Sequence, residues 1–160
     1  MNVSDSAGNI YAVDVRKDNG TTTGTTGAIA SSVLKNDLPS GSTITMTVSS
    51  PVTYRLAIAY AYTGLSGKDG TASATGTSSA PSSGTVATSG APALILGTTV
   101  YNSGTAGHTA GSGMTELAEL HVGTKGLAVD ERIETVTGTY GDSGTLTASV
   151  LWTDSAVAYK

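Results

Sequence analysis

The chain has 160 residues, a formal net charge of −4 and no cysteine, and 12% of its residues are charged, against about 25% in an average domain. The length fits a single domain over residues 1–160, and the lack of cysteine excludes disulfides, thiolate metal sites and a cysteine nucleophile. Eight scattered basic residues do not form a nucleic-acid surface, and no apolar run reaches the roughly 20 residues of a membrane span. We therefore expect no nucleic-acid partner, no membrane partner and no cofactor.

Alternation of apolar and polar residues with a period of two predicts β-strands along most of the chain. Turns rich in Gly, Pro, Ser and Asp separate the alternating segments. About nine or ten strands at this spacing predict an all-β fold, an antiparallel and jelly-roll-like β-sandwich. In chain order, the predicted strands cover residues 9–15, 28–34, 42–49, 52–62, 70–76, 84–88, 93–101, 127–137, 144–152 and 156–160.

The clearest alternation lies in three of these strands, residues 42–49, 52–62 and 144–152. In each, large apolar side chains fall on one face, and Thr, Ser or Ala falls on the other. Trp152 is expected to be a core anchor whose indole N–H finds a partner. The predicted structural core consists of Ile44, Met46, Val48, Leu56, Ile58, Tyr60, Leu146, Val150 and Trp152.

Two segments fit the strand pattern less well. Residues 114–122 match either a helical stripe or a strand, and we favour the strand because the segment is short for a lone helix among β neighbours. Residues 18–27 are of low complexity, which predicts a loop that is flexible or ordered by a partner.

A calcium site near the start of the chain is one interpretation of four residues with hard oxygen ligands: Asp5, Asn9, Asp14 and Asp18. Their spacing is not that of an EF-hand loop. An Asx turn, in which Asp5 accepts backbone N–H groups and Gly8 takes a positive φ, explains the same residues without metal. We favour the Asx turn and predict no metal site.

The sequence offers little material for catalysis. His108 and His121 are its only imidazoles, and no G-x-S-x-G string is present. A glycosidase needs two carboxyl groups in a cleft that is usually lined with aromatic residues, and the chain has one Trp. We therefore predict no catalytic residue, and a solvated charged face for the five carboxylates considered: Glu116, Glu119, Asp130, Glu131 and Glu134.

Several pieces of the chain, taken in order, resemble a module of bacteriophage virion proteins and bacterial surface proteins. They are DSAGNIY (5–11), SGSTITMTVS (40–49), YRLAIAYAYTGL (54–65), SSGTVATSG (82–90), GSGMTELAE (111–119) and TLTASVLWTDSAVAYK (145–160). The resemblance implies an antiparallel jelly-roll-like sandwich without catalytic residues. The chain departs from the family at Met114, where Trp is usual, and in having fewer strands before Asp5. The second departure predicts an open sheet edge that a neighbouring subunit supplies or covers.

These expectations favour a non-enzymatic structural protein of a phage virion, either a capsid decoration (cement) protein or a small tail-surface protein. Its partners would be further copies of itself and other virion proteins such as the major capsid protein. Residues 1–15 lack the pattern of a secretory signal peptide, which predicts assembly in the host cytoplasm, release on lysis and a place on the virion surface. The alternatives are a module that binds host-surface glycans and a subunit of a bacterial extracellular filament or adhesin.

Overall fold

The structure is a computed structural model that describes residues 1–20 and 24–160. This part of the chain forms β-strands without a helix, so it contains no helix that could cross a membrane. The strands are β1 (Asn2–Asp5), β2 (Ala12–Asp18), β3 (Thr26–Ser31), β4 (Ile44–Thr47), β5 (Lys68–Ser78), β6 (Val86–Ala87), β7 (Ala93–Tyr101), β8 (His108–Ala110), β9 (Thr115–Val122), β10 (Lys125–Glu134), β11 (Thr139–Tyr140), β12 (Gly144–Leu146) and β13 (Val150–Tyr159).

Five strands form the main sheet, in the order β5-β13-β7-β10-β9, and each pairs antiparallel with its neighbours. The other strands form two-stranded pairs: β1 with β4, β2 with β3, β6 with β11, and β8 with β12. The predicted class, an all-β antiparallel domain of the sandwich type, is confirmed. The described residues form 13 strands rather than nine or ten.

The middle of the main sheet consists of strands that are apolar or small-sided on both faces. β7 reads ALILGTTVY and β13 reads VLWTDSAVAY, and nearly all of their residues are buried or half-buried. A strand that is covered on both faces needs such a continuous run rather than strict alternation. This composition explains why these two strands lie next to each other at the centre of the sheet.

The main sheet is covered on both faces. On one, which we call the groove face, a single cluster joins it to β2 and β3: Val15, Ile29, Leu94, Val157 and Tyr159. On the other, which we call the acidic face, one cluster surrounds Ile95 beneath β6 and β11, and a second surrounds Tyr101 and Trp152 beside β12. β2 and β3 therefore cover one part of the groove face, while the two shorter pairs cover the acidic face.

The structure buries some of the residues predicted for the core and leaves others exposed or half-buried. Leu146 and Trp152 are buried, and Val150 packs against their cluster. The prediction is wrong for Ile44 and Tyr60, which expose 47% and 41% of their surface. The remaining predicted residues are half-buried and belong to no core cluster: Met46, Val48, Leu56 and Ile58. These predicted core residues that lie outside the core clusters belong to β4 and its flank or to residues 52–62, and neither part of the chain joins the main sheet.

The predicted strand at residues 52–62 does not form. The segment runs across the groove face from the β9–β10 turn, where the Tyr54 ring lies over Gly123, to β10, where the Tyr62 hydroxyl donates to the Glu131 carboxylate at 2.8 Å. Both edges of β10 are already paired, with β7 and β9, so the segment lies across a sheet face that offers no edge. Alternation predicts an extended amphipathic segment, but a ladder also needs a free partner edge.

Two further strand predictions are resolved by the pairing. Residues 114–122 form a strand, β9, and not a helix. The predicted strand at residues 144–152 is broken, because β12 ends at Leu146 and pairs with β8 whereas β13 begins at Val150 and enters the main sheet. The chain changes sheets between them, which the continuous alternation did not indicate.

The loop predicted over residues 18–27 is shorter in the structure. Asp18 is the last residue of β2, and Thr26 is the first residue of β3, and the two are register partners. Residues 21–23, in the middle of this prediction, lie outside the described residues.

Candidate functional site

Acidic side chains and a histidine are buried together on the acidic face of the main sheet. Asp130, Asp142 and Asp154 are at most 1% exposed, and the His108 side chain is fully buried. Glu116 approaches from β9 and remains 31% exposed. We call these five residues the acidic cluster. Burying a charge without partners is costly, so this group is the strongest candidate for a functional site among the described residues.

The register of the main sheet places two members of the cluster on one face. Asp130 of β10 is the partner of Gly97 in β7, and Asp154 of β13 is the partner of Thr99, two residues further along β7. Residues i and i+2 of a strand point to the same side. The two carboxyl groups therefore lie on the same face, on either side of β7.

Gly97 makes room for the third carboxyl group. A Cβ atom at this position would overlap the side chain of Asp142, which lies directly over Gly97. The turn that carries Asp142 is held in place by Ser83, whose hydroxyl accepts the Asp142 N–H at 2.9 Å and whose own N–H donates to the Asp142 carbonyl at 3.0 Å. A glycine in the central strand thus lets a carboxyl group from a loop sit between two others.

A β-bulge in β9 turns Glu116 toward the cluster. Val129 pairs with Ala118, but the next residue of β10, Asp130, pairs with Glu116 and skips Leu117. In an unbroken register, Leu117 would face Asp130. Bulges redirect side chains in this way, and this one brings Glu116 Oε2 to 2.9 Å from His108 Nδ1.

The carboxyl groups perturb one another. Burial, together with the nearby charge of Asp142, raises the pKa of Asp130 to about 7. Burial also raises the pKa values of Asp142 and Asp154, and the charge of Asp154 adds to the effect on Asp142. Like charges in a low-dielectric site disfavour ionisation, so the cluster keeps protons that exposed carboxyl groups lose.

Many polar atoms of the cluster have no hydrogen-bond partner among the described residues. They include His108 Nε2 and both carboxylate oxygens of Asp130 and of Asp142. Asp154 has one weak contact, from the Thr99 hydroxyl at 3.4 Å. Ionised carboxylates are acceptors only, so neighbouring carboxyl groups can bond to one another only through a shared proton. The cluster is therefore equipped to hold protons or a cation.

We expect Gly97→Ala to lower the free energy of unfolding by about 1–3 kcal/mol, because the new Cβ atom must displace the Asp142 side chain from a packed interior. Urea denaturation followed by circular dichroism measures this change. Gly90→Ala is the control, since its Cβ atom would lie 3.5 Å from the Lys160 side chain, in ordinary contact. Equal stability of the two variants would contradict the packing argument.

The Asx turn predicted at the start of the chain is confirmed. Asp5 Oδ1 accepts the backbone N–H groups of Ala7 at 2.9 Å and Asn9 at 3.0 Å, and Gly8 has a φ of 79°. The Asn9 side chain donates to the other Asp5 oxygen at 2.9 Å. These two calcium candidates thus bond directly to each other.

The other two calcium candidates have separate partners. Asp14 accepts from the Tyr159 hydroxyl at 2.8 Å and lies 3.5 Å from the Lys68 ammonium group. Asp18 accepts the backbone N–H of Gly20 at 2.9 Å. The four candidates are engaged in different local contacts.

The carboxylates predicted to form one solvated face are divided between environments. Glu116 and Asp130 belong to the acidic cluster, which corrects the prediction for Asp130, since it is 1% exposed. Glu119 accepts from the Tyr101 hydroxyl and from the backbone N–H of His108, and lies 3.6 Å from His121. The other two acids make surface contacts, Glu131 with Tyr62 and Glu134 with Arg132.

Sequence reasoning did not single out Asp142 and Asp154. Asp154 carried a usable signal, because a charged residue inside a run as apolar as VLWTDSAVAY needs a buried partner. Asp142 carried none, because YGDSG is an ordinary turn sequence. Only the folded chain places this turn over Gly97.

Fold and site together define an all-β antiparallel protein that buries an acidic cluster against its main sheet. Comparison with protein-family models, curated proteins and solved structures found no match. Inference about function therefore starts from the residues and their geometry.

Proposed function

We propose that this chain is a non-enzymatic structural protein of a phage virion, a capsid decoration protein or a small tail-surface protein, that associates with copies of itself and with other virion proteins. The observation that carries the proposal is an incomplete second layer on the groove face. The resemblance of the chain to modules of phage virion proteins supports the virion as the place where this association occurs.

The incomplete layer is a groove of about 1650 Å³ between β3, residues 52–62 and the main sheet. Its floor includes Leu96, Thr98 and Val100 of β7. The Thr98 hydroxyl is buried and has no partner among the described residues. Apolar floor residues and an unsatisfied hydroxyl fit an extended chain, which offers both side chains and backbone groups.

The walls of the groove offer backbone groups for pairing. β3 pairs with β2 on one edge, and no other described strand pairs with its second edge. Residues 52–62 make no backbone hydrogen bond to another described residue. Open edges of this kind accept a strand from a second chain.

The two-stranded pair of β1 and β4 favours a second copy of the chain as the occupant. These strands pair only with each other among the described strands, and Ile44 and the nearby Ile10 are 47% and 83% exposed. A two-stranded sheet by itself is marginally stable in water. Contact of this strand pair with a neighbouring copy would stabilise both.

The position of the acidic cluster supports a non-enzymatic role. Asp130, Asp142 and Asp154 are closed off from solvent, so a macromolecular substrate does not reach them. The open apolar surface of the protein is the groove, which lies on the opposite face of the main sheet.

We expect the purified protein to sediment as an oligomer at micromolar concentration and Val33→Glu to sediment as a smaller species, because Val33 lines the groove and is 66% exposed. Val136→Glu is the matched control, since Val136 is 64% exposed outside the groove. A monomeric wild-type protein, or equal dissociation of both variants, would refute self-association through the groove.

Negative-stain microscopy tests the virion assignment. The protein, mixed with phage particles from a strain that carries its gene, is expected to decorate the head or the tail. If the particles remain undecorated and antibody to the protein fails to label purified virions, the proposal that the protein belongs to a virion is wrong.

Glycan binding is the second candidate, and three exposed tyrosines favour it. Tyr54, Tyr60 and Tyr62 expose 37–41% of their surface along one segment, and aromatic rings stack on sugars through their apolar faces. A glycan array with binding that Tyr60→Ala abolishes would favour this function.

A further inference from the structure

We propose that His108 Nε2 and Asp130 bind a divalent transition-metal ion of the zinc class, and that Glu116 positions the His108 ring. One ligand-type atom of each of these three residues lies within 4.8 Å of the other two. The residues come from three strands, β8, β9 and β10, so the site exists only in the folded chain. This inference is independent of how the protein associates with its partners.

The His108 ring provides the observation that separates this site from an ordinary acidic cluster. Its side chain is fully buried, and Nδ1 lies 2.9 Å from Glu116 Oε2. A carboxylate only accepts, so in this contact Nδ1 carries a proton, and in the neutral ring Nε2 then carries the lone pair. Nε2 has no hydrogen-bond partner among the described residues and lies 3.6 Å from Asp130 Oδ2.

Two buried acceptors thus face each other across a gap. Neither oxygen of Asp130 accepts a hydrogen bond from a donor among the described residues, and the neighbouring Asp142 carboxyl group can bond to it only through a shared proton. A cation between Nε2 and the ionised Asp130 carboxylate would satisfy Nε2 and the Asp130 oxygens at once. The contact between Glu116 and Nδ1 also fixes the ring orientation, as carboxylates do around metal-bound histidines.

The ligand types select the class of ion. Calcium prefers six to eight oxygen ligands, whereas one imidazole nitrogen with carboxylate oxygens suits zinc and related transition ions. Glu116 is 31% exposed, which provides a route for the ion.

The test is isothermal titration of EDTA-stripped, dialysed protein with Zn²⁺, and separately with Ca²⁺, followed by thermal unfolding with each ion. We expect one Zn²⁺ per chain, a higher melting temperature with Zn²⁺, and no such rise with Ca²⁺. Glu116→Gln should weaken Zn²⁺ binding by at least about tenfold. This partly exposed residue is a safer target than Asp130, whose replacement can disturb folding.

Glu131→Gln is the matched control, because Glu131 follows Asp130 in β10 but contacts Tyr62 on the groove face. It should bind Zn²⁺ as the wild type does. No stoichiometric Zn²⁺ binding, equal affinity of wild type and Glu116→Gln, or stabilisation by Ca²⁺ in preference to Zn²⁺ would each overturn the proposal.

Discussion

Replacement of Leu146 by alanine is expected to lower the free energy of unfolding by about 2–5 kcal/mol. Leu146 is 2% exposed and packs in the cluster of Tyr101 and Trp152 on the acidic face. The loss combines the transfer free energy of the removed carbon atoms with the cavity that remains in a closely packed interior. β12 forms three register pairs with β8 and donates two backbone hydrogen bonds to Pro81 and Ser79, and Leu146 adds a buried side-chain contact with the cluster on the main sheet.

Chemical denaturation of Leu146→Ala and of Leu120→Ala measures this effect. Leu120 is the matched control, since the same change is made on an edge strand where the side chain is 38% exposed. We expect the control to lose much less stability. Similar losses in both variants would show that β12 is not anchored through Leu146.

The stability of the protein is expected to decrease as the pH rises through neutrality, measured in EDTA so that no bound ion contributes. An unfolded Asp side chain titrates near pH 3.9, whereas burial and the charge of Asp142 raise the pKa of Asp130 to about 7. Between these values the folded state binds more protons than the unfolded state. The free energy of unfolding therefore decreases with increasing pH.

Each proton held in this way contributes about 1.4 kcal/mol per pH unit across the window. Asp142 and Asp154 act in the same direction, because burial raises their pKa values too. The stabilisation is complete below about pH 4 and is lost as the pH rises through about 7. Melting temperatures between pH 4 and pH 9 provide the measurement.

Two variants separate this effect from general charge repulsion. Asp142→Asn should flatten the decrease, because it removes one of the buried titrating groups. Asp69→Asn should leave the decrease in stability through neutral pH unchanged. Hydrogen bonds from Ser89 lower the pKa of Asp69 to about 2, so Asp69 changes the stability only at acid pH. A wild-type protein that is equally stable at pH 5 and pH 8 would contradict protonation of the cluster.

The sequence predicted the fold class because the strand period is a local property. Side chains alternate along a single strand whatever its neighbours are, so residues 42–49 and 93–101 were recognisable as strands from their own composition, whereas residues 114–122 also fitted a helix and were assigned as a strand from their β neighbours. The Asx turn at Asp5 was equally local, since its donors lie within four residues. These features depend on contacts close in the chain.

Burial and pairing were not local. Ile44 and Leu146 occupy equivalent places in alternating segments, yet Ile44 is 47% exposed and Leu146 is 2% exposed. The difference is whether the segment finds a packing surface on the main sheet. Residues 52–62 lie against the face of β10, and both edges of β10 are already paired with other strands.

The acidic cluster shows most clearly the difference between what the sequence predicts and what only the tertiary structure decides. The sequence determined an antiparallel all-β chain with few charges, and a few acids that composition alone assigns to the surface. Only the tertiary structure decided that Asp130, Asp142 and Asp154 meet in the interior, because three strands, one loop and the small size of Gly97 must combine to bring them together. Contacts between residues far apart in the chain depend on register and packing, which no single segment encodes.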